Sequence, residues 1–155
     1  MKNAIGIDTK KAKALSEKLN DLLANYQIFY QNLRGLHWNV KGKEFFELHL
    51  KFEELYNDAI LKVDEIAERV LTLGGTPMHT MKDYIKNAEI KSLENVADGP
   101  TGLKHVVENF SVLIGKEREI LALSADADDE GTNSLMSDYI KLSEKTVWML
   151  TAYLK

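Results

Sequence analysis

The run from Glu44 to Leu73 contains neither proline nor glycine and is rich in Leu, Glu, Lys and Ala. Such residues favour helix and nothing in the run interrupts one, so the chain is committed to a long helix here. With successive residues at about 100° and His49 at zero, Leu48, Phe52, Leu55, Ala59, Val63, Ile66, Val70 and Leu73 gather between roughly 240° and 320°. That stripe seeks a core. Glu47, Lys51, Glu54, Asp58, Lys62, Glu65 and Arg69 gather between roughly 140° and 220°, the pattern of a solvated face. His49, Glu53, Asp64 and Glu68 fall on a third face, between about 0° and 100°. Neither burial nor solvation accounts for four potential metal ligands grouped there.

The axial spacing of these four adds a second constraint. His49 and Glu53 are one turn apart, as are Asp64 and Glu68, so each pair suits chelation. Glu53 and Asp64 are separated by roughly 16 Å of helical rise. Ligand atoms lie about 2 Å from a metal ion and therefore no more than roughly 4 Å from one another. The two pairs cannot meet on one straight helix. An antiparallel copy of the helix resolves the conflict. A two-fold axis between Asp58 and Ala59 sets His49 beside Glu68 of the copy and Glu53 beside its Asp64, and such a contact repeats every interaction twice. The spacing thus predicts two equivalent sites per dimer, each built from both chains. His37 lies upstream, near the end of an expected first helix. The short loop Val40-Lys41-Gly42-Lys43 turns the chain back, and a helical hairpin brings His37 level with His49. Taken singly, a histidine is commonly a satisfied core residue and an acid pair is commonly solvated. The shared face and matched spacing favour a metal centre. Imidazole and carboxylate without thiolate suit iron, zinc or manganese and do not choose among them.

The rest of the chain reads as helices around one domain spanning residues 1–155. A first helix is expected from about Thr9 to Trp38, capped by Asp8 or Thr9, with Leu15, Leu19, Leu22, Tyr26, Phe29 and Leu33 inward. The second ends at Gly74-Gly75. A long connection follows, in which Met81 to Lys86 suits a short helix. Pro100 fits the first turn of the third long helix, which carries Val106, Phe110, Leu113, Ile114, Ile120 and Leu121. Gly115 within it suggests close packing. After the turn Asp126 to Gly131, a fourth long helix is expected from about Asn133 to Leu154, with Leu135, Tyr139, Leu142, Leu150 and Tyr153 inward. The expectation is an all-α, ferritin-like four-helix bundle with a short extra helix in the long connection between the second and third helices.

Composition narrows the function classes. The chain has 155 residues, 45% of them hydrophobic and 28% charged, and a net charge of −4. No run approaches the roughly 18 apolar residues of a membrane span. No apolar signal stretch follows Met1, and there is no cysteine, hence no disulfide, thiol chemistry or iron–sulfur cluster. A cytoplasmic location is the expectation, and the acidic balance argues against a generally basic nucleic-acid binder.

One block of residues carries a family resemblance. Leu33-Arg34-Gly35-Leu36-His37-Trp38-Asn39-Val40-Lys41-Gly42, then Phe45-Phe46 and His49, then Asp64-Glu65-Ile66-Ala67-Glu68-Arg69 and Leu73-Gly74-Gly75-Thr76-Pro77 resemble the Dps family. These are ferritin-like mini-ferritins of starved or oxidatively stressed bacteria. The resemblance covers nearly the whole chain. It implies that His37, His49 and Glu53 of one chain bind iron with Asp64 and Glu68 of a two-fold-related chain. Glu53 departs from the Asp common at its position in the family and reaches further. The resemblance further implies a hollow shell of twelve subunits that oxidises Fe(II), preferably with hydrogen peroxide, and stores ferric mineral in a bacterial cytoplasm or nucleoid. Trp38 lies near the family's site and quenches stray radicals there; core or interface packing explains it equally well. Acids near the start of the family's last helix line three-fold pores that draw Fe(II) inward. By that resemblance Asp126, Asp128, Asp129 and Glu130 are pore candidates. Zinc or another divalent metal would suit the same ligands. His79 and His105 match no motif and read as structural or surface residues.

Some family members bind DNA through a long lysine-rich tail. Here Lys2, Lys10, Lys11 and Lys13 are the only cations near the start, so weak or absent DNA binding is expected at physiological salt. Two alternatives compete with the iron-oxidising reading. One is a di-iron protein with its site inside one subunit, which uses Glu-x-x-His; no Glu stands three residues before any histidine here. The other is a non-catalytic shell of the same fold that coats DNA.

Overall fold

Five helices account for most of the computed structural model, which describes residues 1–155: α1 Thr9–Asn39, α2 Phe45–Thr72, α3 Met81–Asn87, α4 Gly99–Asp126 and α5 Glu130–Tyr153. The all-helical fold and the small helix in the long connection agree with the sequence. Each start has a chemical cause. Asp8, Thr80, Asp98 and Asp129 accept from backbone N–H groups of the first turns of α1, α3, α4 and α5, which lack partners within the helix. Asp129 does this through Thr132 N, which is why α5 begins at Glu130 rather than near Asn133.

The ends of α2 and α4 share one geometry. At the first, Gly74 has φ +90°, Gly74 N donates to Leu71 O and Gly75 N to Val70 O. At the second, Asp128 has φ +55°, Asp128 N donates to Ala125 O and Asp129 N to Ser124 O. Both are Schellman closures. Glycine is the usual residue in the left-handed position, and Asp128 fills it here without a glycine's freedom.

The helices pair as two hairpins, α1 on α2 and α4 on α5, with α1 also against α4 and α3. The α2 stripe, Leu48 through Leu73, is buried along its whole length, as is the α1 stripe. Aromatic rings fill the middle: Phe29 meets Phe110 edge-on at 5.0 Å, and Tyr26 lies between Phe29 and Tyr139. Two buried asparagines of α1 fix the long connection. Asn25 Oδ1 accepts from Glu89 N and Ile90 N, and Asn32 accepts from Leu93 N while donating to Lys91 O. Polar backbone that would otherwise cross α1 unpaired is satisfied this way.

Some expectations fail for local reasons. Leu142 and Tyr153 are exposed rather than inward. Gly115 is also exposed, and a Cβ there would meet nothing within 4 Å, so it marks no close packing. Lys62, assigned to the solvated face, is buried. It sits where that face borders the apolar stripe, its aliphatic stem covered, its ammonium on Asp58 and 5.3 Å from the Tyr139 ring centre.

Candidate metal centre

His37 lies in the last turn of α1 and His49 in the first turns of α2, and the short loop between them folds the two imidazoles face to face. Their ring centres are 3.7 Å apart and their planes 12° from parallel. The pairing is reciprocal. His37 Nδ1 lies 2.6 Å from the carbonyl oxygen of His49, and His49 Nδ1 lies 2.7 Å from that of His37. A carbonyl only accepts, so both Nδ1 atoms carry a proton, which leaves Nε2 as the ring nitrogen that can offer a lone pair to a metal. The second contact also satisfies a carbonyl in the last turn of α1 that has no helical donor. Phe45 stacks on the other face of His49 at 5.0 Å, and Tyr56 meets His37 edge-on at 5.4 Å. Both rings are therefore fixed in orientation and tautomer, the arrangement that presents imidazole nitrogen to a metal.

The carboxylates are more open. Glu53 is half-buried one turn after His49, while Asp64 and Glu68 are exposed. Glu68's carboxyl titrates above its usual range, first because it shares a hydrogen bond with Asp64, then because of the charges of Asp64 and Glu65. Two acids that close together are poised to share a proton or a cation. The five predicted ligands thus form a histidine pair with Glu53 one turn beyond it, and a separate pair of acids, Asp64 and Glu68. In a single chain no three His, Asp or Glu side chains come together as a ligand group.

Exposed apolar residues surround the predicted ligands on α2. Phe46, Leu50, Ile60, Leu61 and Leu71 are exposed, Phe46 by 79%. At 100° per residue all but Leu61 fall within the 0–100° face that carries His49, Glu53, Asp64 and Glu68, and Leu61 lies at its edge. An apolar surface helix face that also carries the predicted ligands suits packing against another protein surface.

Trp38 is 57% exposed, which removes core packing as its explanation. Arg34 lies 4.8 Å from its indole and also stacks on Tyr56 at 5.3 Å and Tyr30 at 5.7 Å, donating to the Tyr30 hydroxyl. The i, i+4, i+8 spacing of Tyr30, Arg34 and Trp38 is the sequence signal for this clamp.

The acidic turn separates into different roles. Asp126 ion-pairs with Lys11, Asp128 occupies the left-handed closure, and Glu130 is exposed in the first turn of α5. Asp129 is a correction to the pore expectation. It is buried, caps α5 and holds Arg69 at 2.6 Å, so its carboxylate is already spent inside the protomer. His79 and His105 are peripheral, the first bonded to Pro77 O and the second 3.6 Å from Glu108. No helix is long and apolar enough to cross a membrane.

With this geometry in hand, the relatives are informative. A model of the ferritin-like domain matches residues 16–155. The chain is 40% identical over 148 residues to a DNA protection during starvation protein of Porphyromonas gingivalis, covering 96% of this chain and 93% of that one. A Brevibacillus brevis protein of the same name is 39% identical over 137 residues, covering 88% and 92%. Among solved structures, the Dps protein of Vibrio cholerae O1, described as a member of a broad superfamily of ferritin-like diiron-carboxylate proteins, superimposes with a TM-score of 0.98 at 54% identity, covering 99% and 97%. Fold and match together define a ferritin-like protein. Within that class, the chain belongs to the Dps family.

Proposed function

We propose that this chain is a ferroxidase and iron-storage mini-ferritin. Its sites lie at two-fold contacts between antiparallel α2 helices, His37, His49 and Glu53 from one chain facing Asp64 and Glu68 from another. The observation that carries this reading is the exposed ligand face of α2. The axis between Asp58 and Ala59 that pairs His49 with Glu68 also sets Phe46 against Leu71 of the second copy. One operation therefore completes the ligand sets and covers the apolar residues.

The chemistry follows from the donors. Hard carboxylates favour Fe(III) over Fe(II), and the fixed Nε2 lone pairs hold the incoming ion without reorganisation. Two Fe(II) ions held side by side give one electron each to one hydrogen peroxide, which takes up two protons and leaves as two waters. No single-electron step then releases hydroxyl radical. The product would collect as mineral within a hollow dodecamer in the cytoplasm, with Asp126, Asp128 and Glu130 as candidate pore acids. Trp38, beside His37 and open to solvent, would intercept stray oxidising equivalents. Zinc or other divalent ions would compete for the same ligands.

The test is peroxide-driven Fe(II) oxidation by the purified protein beside His37→Ala, His49→Ala and Asp64→Ala. Each variant should lose most of the initial rate; unchanged rates in all three overturn the proposal. The competing reading, a non-catalytic shell that coats DNA, draws support from relatives named for DNA protection. Against it, Lys11 is engaged by Asp126, leaving few free cations near the start of α1. Stoichiometric DNA retention in a gel shift near physiological salt, without iron oxidation, would favour that shell.

A further inference from the structure

The centre of the bundle holds a polar cluster that the metal chemistry does not use. Glu117 of α4 is 0% exposed, although it lies on the apolar stripe of that helix. One oxygen, Oε2, accepts from the Tyr26 hydroxyl of α1 at 2.9 Å, and the other, Oε1, has no partner. From α5, the buried Tyr139 hydroxyl also has no partner, and its ring lies 6.2 Å from that of Tyr26. From α2, Lys62 brings the one buried ammonium to the Tyr139 ring, but its ion pair is with half-exposed Asp58, not with Glu117. The remaining charge that acts on Glu117, Arg118, points away to Glu144 on the surface. All four long helices thus contribute to one layer that contains a carboxyl without an ion pair.

A buried carboxylate with an unfilled oxygen is strongly unfavourable, and the group answers by keeping its proton. We infer that Glu117 is a proton switch at the heart of the bundle, in which Glu117 and Asp58 compete for Lys62 and the proton on Glu117 decides the contest. With the proton on, the carboxyl is neutral and Lys62 stays with Asp58, as observed. With the proton lost, the buried anion draws the ammonium inward and loosens its hold on Asp58.

The direction of the pH response follows. Burial pushes Glu117 from 4.5 up to about 7, against the smaller downward pulls of the Tyr26 hydrogen bond and the Lys62 charge. The folded protein holds a proton that the unfolded chain gives up. Stability from this group is therefore full below the unfolded value and declines as pH rises from 4.5 towards about 7.

Infrared titration of the assembled protein tests the inference. The carboxylic-acid carbonyl band of a buried acid should be present at mildly acid pH, half lost near neutrality and missing in Glu117→Gln. Lys62→Met should move its midpoint up by about one pH unit, and Asp58→Asn, which frees Lys62, should move it down. No such band in the wild type, or midpoints unmoved in both Lys62→Met and Asp58→Asn, overturns the switch. Should Glu117→Gln fail to assemble, the wild-type band and the opposite shifts of the other two variants still decide. In melting scans, wild type should lose stability relative to a folded Glu117→Gln as pH rises through this window, and parallel profiles count against it.

Discussion

Arg69 and Asp129 join α2 to the start of α5 through a 2.6 Å ion pair, and Thr132 closes the triangle by accepting from Arg69 Nε and donating to Asp129. Gly131 leaves room for it, since a Cβ there would lie 2.7 Å from the guanidinium. Asp129→Ala would remove a helix cap and leave a largely buried cation unpaired. The expected loss is about 3–5 kcal/mol in urea unfolding, against less than about 0.5 kcal/mol for Asp126→Ala on the surface. Equal effects from the two would show that the triangle stabilises nothing.

The proposal that each site is shared between two chains can be tested by mixing variants. His49→Ala and Glu68→Ala homomers should each fail to bind Co(II), used as a spectroscopic probe. When the two are unfolded together and reassembled, each mixed pair regains one intact site. About a quarter of the wild-type signal should return for random pairing across a two-fold contact. If all five ligands served one chain, mixing would restore nothing.

The Arg34 clamp predicts the behaviour of Trp38. In a Trp148→Phe background, Arg34→Ala should free the indole, lowering its fluorescence anisotropy. Stability should fall by about 1–2 kcal/mol, because three cation–π contacts and the bond to the Tyr30 hydroxyl are lost together. An unchanged anisotropy would mean that another contact holds the ring.

Two glycines should respond in opposite directions. A Cβ on Gly75 would lie 2.8 Å from Ser16 Oγ and 3.1 Å from Val70, so Gly75→Ala should destabilise by about 1–3 kcal/mol. Gly115 faces open space inside a helix, and Gly115→Ala should stabilise by about 0.5–1 kcal/mol. Thermal or urea unfolding of the two variants checks both signs.

The sequence made the helices legible because their stripes are regular and their caps are chemically explicit. The α1 and α2 core positions needed only a 3.6-residue period. The histidine pair was legible too, since a short loop leaves a hairpin few ways to close. Other features depend on tertiary neighbours. Lys62 stands at the border between two faces, and only its packing against Tyr139 and Asp58 decides that it is buried. Asp129 looked like one acid among four until Arg69 arrived from another helix. Glu117 did leave a trace, standing in register with Phe110, Leu113, Ile114 and Ile120 where an apolar residue was due. Phe46, Leu50, Ile60 and Leu71 stand on the same face as His49, Glu53, Asp64 and Glu68, and only the absence of a covering helix in the folded chain shows that they are exposed.

Asn25 and Asn32 give the strap across α1 a role beyond connection. The peptide groups of Glu89 to Leu93 are laced to one helix at two points. The chain is thereby tethered to the first hairpin a few residues before α4 begins. Were both carboxamides removed, the strap would lose its anchors, and register between the halves would rest on the packed core and on cross-links such as Tyr26 to Glu117 and Arg69 to Asp129.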